Sequence, residues 1–214
     1  MTRLAGILVS ALAVGAGFGA ATSLVNAISH SYADLGSRAH TTSGWSVVEI
    51  MSVLLDSGWA WAGLAVATGW LVTHAGEGRP AALARGGAAG ALALLAATAA
   101  YSIVDTIRSD GPLSSWYESE PLIWWVTSVI FGAPLGAVGA CVKYPEVIGF
   151  LARLTVPVGA AVQMIVLPPG RNEVVATIVK TIVWTAAAAA IGFVIVCFLS
   201  VERRRHSLTA AESP

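Results

Sequence analysis

The sequence predicts an all-α polytopic membrane bundle of six transmembrane helices, or five if one marginal segment does not cross. Three observations lead there. Charged residues are only 11% of the 214, where soluble domains carry roughly 25%. Hydrophobic residues reach 56% and the mean hydropathy is +0.75. A soluble fold of this size could not hide so much apolar surface, because about half of any folded surface still meets water. The apolar residues also cluster into runs near the ~20 residues needed to cross the hydrocarbon, and 22 glycines suit helices that approach closely in lipid.

The first run, Leu4–Ile28, follows Arg3 and contains Val25-Asn26-Ala27, which resembles a signal-peptide cleavage site. It exceeds the roughly 7–15 residues of a signal-peptide core, so it reads as a helix. The second is Trp45–Thr73, the third Gly86–Ile107 and the fourth Pro121–Val142. The fifth, Val147–Leu167, is the marginal one. It carries Arg153 near one end and Pro157 inside, which predicts a kink or partial re-entry. Val174–Ser200 is the sixth. The connections are short and polar, so residues 1–214 form a single transmembrane domain.

With six spans, one side holds Arg3, Arg79, Arg85, Lys143, Arg153 and Arg203-Arg204-Arg205, and the other only Arg38, Arg108 and Arg171. The excess of basic residues predicts a plasma (inner) membrane protein with both termini cytoplasmic. Twelve basic against twelve acidic residues offer no surplus of positive charge for nucleic acid. Cys141 and Cys197 lie in apolar runs and read as buried thiols. His30, His40, His74 and His206 fall in loops or the tail, leaving no mid-membrane pair for haem. The sequence has no phosphate loop, no zinc-protease motif, no serine nucleophile elbow and no aspartate-rich magnesium motif. No metal and no cofactor is expected.

Ionisable residues inside a span are expensive and point to function. Four qualify: Glu49, Asp56, Asp105 and Lys180. Trp45, Glu49, Ser52, Asp56, Trp59 and Gly63 recur at steps of three or four, which places them on one face of a continuous helix. Trp61 falls on a different face. Tyr101 and Thr98 sit beside Asp105, Trp124, Trp125 and Ser128 open the fourth span, and Lys180 and Trp184 enter the sixth. Gln163 lies in the outer part of the fifth, and Trp116, Tyr117, Glu118 and Glu120 in the loop above. The polar and aromatic residues thus gather in the outer half of the bundle. Simpler readings stand beside this one: Trp45, Trp70 and Trp116 as interfacial belt residues, Glu49 and Asp105 as groups reaching water, Lys180 and Arg153 as snorkelling cations.

A carboxylic acid among apolar walls holds its proton more tightly and serves as a general acid. Indole faces stabilise nearby cations. Together they suit protonation of an alkene and shelter of the carbocation from water. They also suit a proton-coupled carrier, which needs a titrating carboxylate and a ligand pocket.

The stripe Trp45, Glu49, Ser52, Asp56, Trp59 and the pair Tyr101–Asp105, in a chain of this size, resemble the small bacterial integral-membrane terpene cyclases that act on farnesylated diketopiperazines to give drimane-type products. Fungal enzymes of this kind have seven helices rather than six. The resemblance implies a lipophilic prenylated substrate and a class II-like reaction, in which a double bond or epoxide is protonated, rings close and a proton is lost. It implies Asp56 or Glu49 as the acid and Asp105 or Tyr101 as the group that relays the final proton. Trp59, Trp124, Trp125 and Trp184 would stabilise cations, with Ser52 and Lys180 at the substrate. Lys180 opposes a carbocation unless it is paired with Asp105 or Glu49. Two other readings remain open: a small proton-coupled transporter or channel, and an accessory subunit docking through Gly132, Gly136, Gly139 and Ala140, a face that serves internal packing equally well.

Overall fold

A computed structural model describes residues 2–34, 47–74, 76, 78–112, 114, 116, 119–170 and 173–211. Trp45, Tyr117 and Glu118 lie outside the described residues. Seven helices and no strand are found among them: α1 (Thr2–Asp34), α2 (Val47–Leu55), α3 (Gly58–Val72), α4 (Arg79–Ser109), α5 (Ser119–Cys141), α6 (Val147–Val166) and α7 (Glu173–Ala211). Five are long and apolar enough to cross a membrane alone. The pair α2 and α3, which meet at an angle of 59°, passes the same test only when taken together, giving six if the pair is one span.

The expected continuous helix over 45–73 is therefore corrected to two half-helices, and the irregularity expected in the fifth span lies in the second. α6 runs unbroken from Val147 to Val166 with Pro157 inside. The break falls at Asp56-Ser57-Gly58, three residue types that favour turns over helix interiors.

Many of the enclosed residues are small, and many large apolar ones face outward. Ala65, Ala93 and Ala97 are fully enclosed, while Ile107, Ile165 and Phe193 are 70% exposed or more. Lipid replaces water as the solvent for that outer surface, so close contact comes from small residues and not from hydrophobic expulsion. Gly15 and Gly19 of α1 press on the backbone of Ala93 and Ala97 in α4. Gly132 and Gly136 of α5 lie against Gly86, Gly90 and Ala91 of α4, and Gly139 against Val66 of α3. Of the two uses open to this small-residue face, docking a partner and packing within the chain, the second is the one seen, and Ala140 is buried beside it.

Two apolar cores flank the break. Leu64, Ala65, Ala93, Leu94 and Ala97, with Phe18, Trp61 and Leu135 against them, join α1, α3, α4 and α5. Ile50, Ala160, Met164, Val175, Val179 and Val183, with Trp59 against them, join α2, α6 and α7. The second span thus begins in one core and ends in the other. α7 buries a single stripe, Val175, Val179, Val183 and Ala187, spaced by one turn each.

At one end of the bundle the basic residues are tied down. Arg79 pairs with Glu146 at 2.6 Å and lies over the Tyr144 ring. Lys143 donates to the Thr73 carbonyl and lies over Trp70, and Arg153 donates to the Val142 carbonyl at 2.9 Å. Asp56, Asp105 and Trp116 are at the opposite end.

Candidate functional site

The break in the second span organises the site. α3 has 15 residues, about 22 Å of helix at 1.5 Å per residue. That falls roughly 8 Å short of the ~30 Å hydrocarbon, so with α2 and α3 as one span the junction lies within the membrane and towards its Asp105 side. Broken backbone at that depth must find partners in the protein or line a cavity. Here it does both. The Ser57 hydroxyl donates to the Val53 carbonyl at 2.5 Å, the carbonyl that a continuous helix would give to the Ser57 amide. The Trp59 amide donates to Oε1 of Gln163, on α6, at 2.8 Å. Ser57, the N-cap residue of α3, makes no side-chain cap bond, so Gln163 supplies the cap from 104 residues away.

Cavities lie on both sides of the junction, and Asp56 lines each. The larger, of about 770 Å³, runs between α3, α4 and α5, a size that accepts a drug-sized molecule. Its polar groups include Asp56, Asp105, Tyr101, Ser102 and Thr127, and its aromatic walls are Trp61, Trp116, Trp124 and Phe131. Thr98 and Ser128 also line it, are buried, and meet at 2.9 Å. Since the Ser128 hydroxyl donates to the Trp124 carbonyl at 2.7 Å, the proton between the two side chains belongs to Thr98. That bond fastens α4 to α5 on the cavity side of the glycine contacts. Near the far end, the Trp116 indole donates to Thr106 at 2.8 Å, and Arg108 pairs with Asp105 at 2.8 Å, both side chains about half exposed.

The Tyr101 hydroxyl lies within electrostatic reach of both Asp56 and Asp105. Asn26, on α1, donates to it at 3.3 Å and accepts from the Ser52 hydroxyl at 2.6 Å. This chain of three side chains, two of them buried, ties α1, α2 and α4 together beside the break. The smaller cavity, about 220 Å³, lies on the other side, lined by Ser52, Val53, Asp56, Ser57, Gln163, Met164, Leu167, Pro169 and Gly170.

Of the residues the sequence singles out, Asp56, Asp105, Tyr101 and Trp124 line the larger cavity and Ser52 the smaller. Glu49, Trp59, Trp125, Trp184 and Lys180 line neither. The bend explains much of this. It changes the helical phase at Asp56, so Trp59 turns into the core formed with α6 and α7 while Trp61 faces the larger cavity. Asp56 is also not packed among apolar residues as expected, but open at the junction. Trp184 is 45% exposed and its indole donates to the Ala161 carbonyl at 3.3 Å. Trp61 instead takes an edge contact from Phe18, with centroids 5.5 Å apart and planes at 90°.

Asn26 and Trp61 had no role in the sequence reading. Asn26 has a sequence signal: Thr22, Asn26 and Ser29 recur at four and three residues in an otherwise apolar run, and all three are buried. Among the described residues, no cluster of three or more His, Cys, Asp or Glu could hold a metal ion. The chain matches no protein family, no curated protein and no solved structure.

Proposed function

We propose that this protein is a membrane-bound cyclase that takes the prenyl chain of a lipophilic molecule into the larger cavity and closes its rings by proton transfer. The observation that carries the proposal is that Asp56, Asp105 and Tyr101 share one cavity of about 770 Å³ with Trp61, Trp116, Trp124 and Phe131. Groups that give or take protons stand at one wall, and π faces that stabilise positive charge form the others. A lipophilic substrate reaches this cavity from the bilayer.

In this reading Asp56 delivers the proton. The N-terminus of α3 follows it directly, and the apolar chain of the substrate displaces water from around it. Asp105, paired with Arg108, stabilises cations and takes back the final proton through Tyr101 or directly. Trp61 and Trp124 replace Trp59, Trp125 and Trp184 as the aromatic walls. Glu49 and Lys180 have no part. The basic end around Arg79, Lys143 and Arg153 faces the cytoplasm of the plasma membrane, with both termini on that side.

A second reading, a proton-coupled carrier, is favoured by a different observation: Asp56 stands at a broken span with cavities on both sides, the arrangement that carriers use at their binding sites. One experiment separates the two. Detergent-purified protein is incubated with a linear farnesylated diketopiperazine and the mixture is analysed by mass spectrometry. The cyclase reading expects a product of equal mass and new retention time, absent with Asp56→Asn. No isomer from any prenylated acceptor, together with pH-gradient-driven uptake into proteoliposomes, would establish the carrier instead.

A further inference from the structure

The residues behind Tyr101 impose a direction on its hydroxyl. Ser52 and Asn26 meet at 2.6 Å, and Asn26 and Tyr101 at 3.3 Å. The shorter distance lies in the O–H···O range and the longer is closer to the N–H···O range. The amide of Asn26 therefore turns Oδ1 to the Ser52 hydroxyl and its N–H to the Tyr101 oxygen. Ser52 and Asn26 are both buried, which holds the amide in that sense. Tyr101 thus accepts from Asn26 and keeps its own proton. Among the described residues it makes no other hydrogen bond. A phenol that accepts on one side of its oxygen directs its proton to the other, and Tyr101 lines the larger cavity while Asn26 does not.

The neighbouring hydroxyls are already committed. Thr98 gives its proton to Ser128, and Thr127 and Ser128 give theirs to the Trp124 carbonyl. An apolar chain that fills the cavity expels water from around Tyr101, and a donor left unpaired in such surroundings is penalised. A site of this kind selects the ligand that carries an acceptor and rejects the analogue that lacks one.

We propose that Tyr101 donates a hydrogen bond to an oxygen of the ligand, a carbonyl, epoxide or ether, and that Ser52 and Asn26 are positioning residues that aim it. The ligand is then a mostly apolar chain with an acceptor oxygen at the level of Tyr101. The proposal rests on the larger cavity being the ligand site, and it stands whether the ligand is cyclised there or carried.

The test uses the full chain in detergent with two saturated probes that cannot cyclise, pentadecan-2-one and pentadecane, at equal mole fraction in the micelle. Affinities are read from the concentration dependence of the melting temperature. Wild type binds the ketone about fivefold or more tighter than the alkane. Tyr101→Phe, which keeps the ring, binds the two alike. Ser52→Ala releases the Asn26 amide to turn its oxygen towards Tyr101 and lowers the ketone preference, and Ser52→Thr, which keeps the hydroxyl, restores it. Thr181→Val, on the exposed face of α7, keeps the wild-type preference. Equal affinities in wild type, or binding of neither probe, would overturn the proposal, as would a ketone preference that survives in Tyr101→Phe. A preference unchanged in Ser52→Ala would overturn the positioning role of Ser52 and Asn26. Absence of any cyclised product leaves these readouts untouched, so the two proposals fail separately.

Discussion

Replacing Gly136 by alanine tests how the bundle closes beneath the larger cavity. A Cβ at this position would stand 2.9 Å from both Cα and N of Gly90, and closer still to the Gly86 carbonyl oxygen. All three are backbone atoms of α4 and cannot rotate aside. Ordinary contact begins near 3.4 Å, so clearing the Gly86 oxygen parts α4 and α5 by about 1 Å, which forfeits roughly half of the dispersion energy of each contact along the seam. Overpacking of this kind costs about 1–3 kcal/mol. For a chain of this length each kcal/mol is worth about 2–4 °C of melting temperature. Gly136→Ala should therefore melt several degrees below wild type in detergent. Gly159→Ala on α6, where a Cβ meets nothing within 4 Å, should match or exceed wild type because alanine is the better helix former. Equal melting temperatures for Gly136→Ala and Gly159→Ala would refute the close approach of α4 and α5.

Gln163→Leu leaves the Trp59 amide without its acceptor and should destabilise by about 1–3 kcal/mol in chemical unfolding. Gln163→Glu keeps an acceptor and should stay near wild type, so equal losses in both would show that the cap is not the cause. Asn26→Leu strands the buried Ser52 hydroxyl and frees Tyr101, whereas Tyr101→Phe removes only a 3.3 Å bond. Thermal unfolding should rank Asn26→Leu as the more damaging, and the reverse order would contradict the network. In turnover of a prenylated substrate, Trp61→Ala should lose most activity and Trp184→Ala little. A Trp184 effect equal to that of Trp61 would return the site to α7.

The fold was legible because lipid imposes a strict length on apolar runs: each long helix covers most of an expected span. The error lay in the second span, where periodicity and turn chemistry pointed different ways. Trp45 through Gly63 fits a helical stripe, but Asp56-Ser57-Gly58 offers side chains that compete for backbone bonds. The competition is decided by Gln163, which satisfies the freed Trp59 amide from a helix distant in sequence. No local pattern could show that partner. Pro157 drew attention to α6 as the irregular helix, yet α6 continues through it. The same break shifts the phase downstream, which is why Trp61 takes the place expected for Trp59. Asp56, Tyr101, Asp105 and Trp124, singled out by depth, line the larger cavity, and Tyr101 and Asp105 lie one turn apart on α4. Asn26 was passed over because a lone amide in a 33-residue helix carries no charge to mark it.

Cyclisation started by a proton from Asp56 is tested most directly by running the reaction in deuterium oxide. The acid exchanges its proton with solvent, one deuteron adds to the prenyl chain, and a different proton leaves at the end. The account predicts a cyclised product one mass unit heavier than its linear substrate, formed by wild type and not by Asp56→Asn. Substrate recovered unchanged in mass and retention time after prolonged incubation with folded wild-type protein would contradict it.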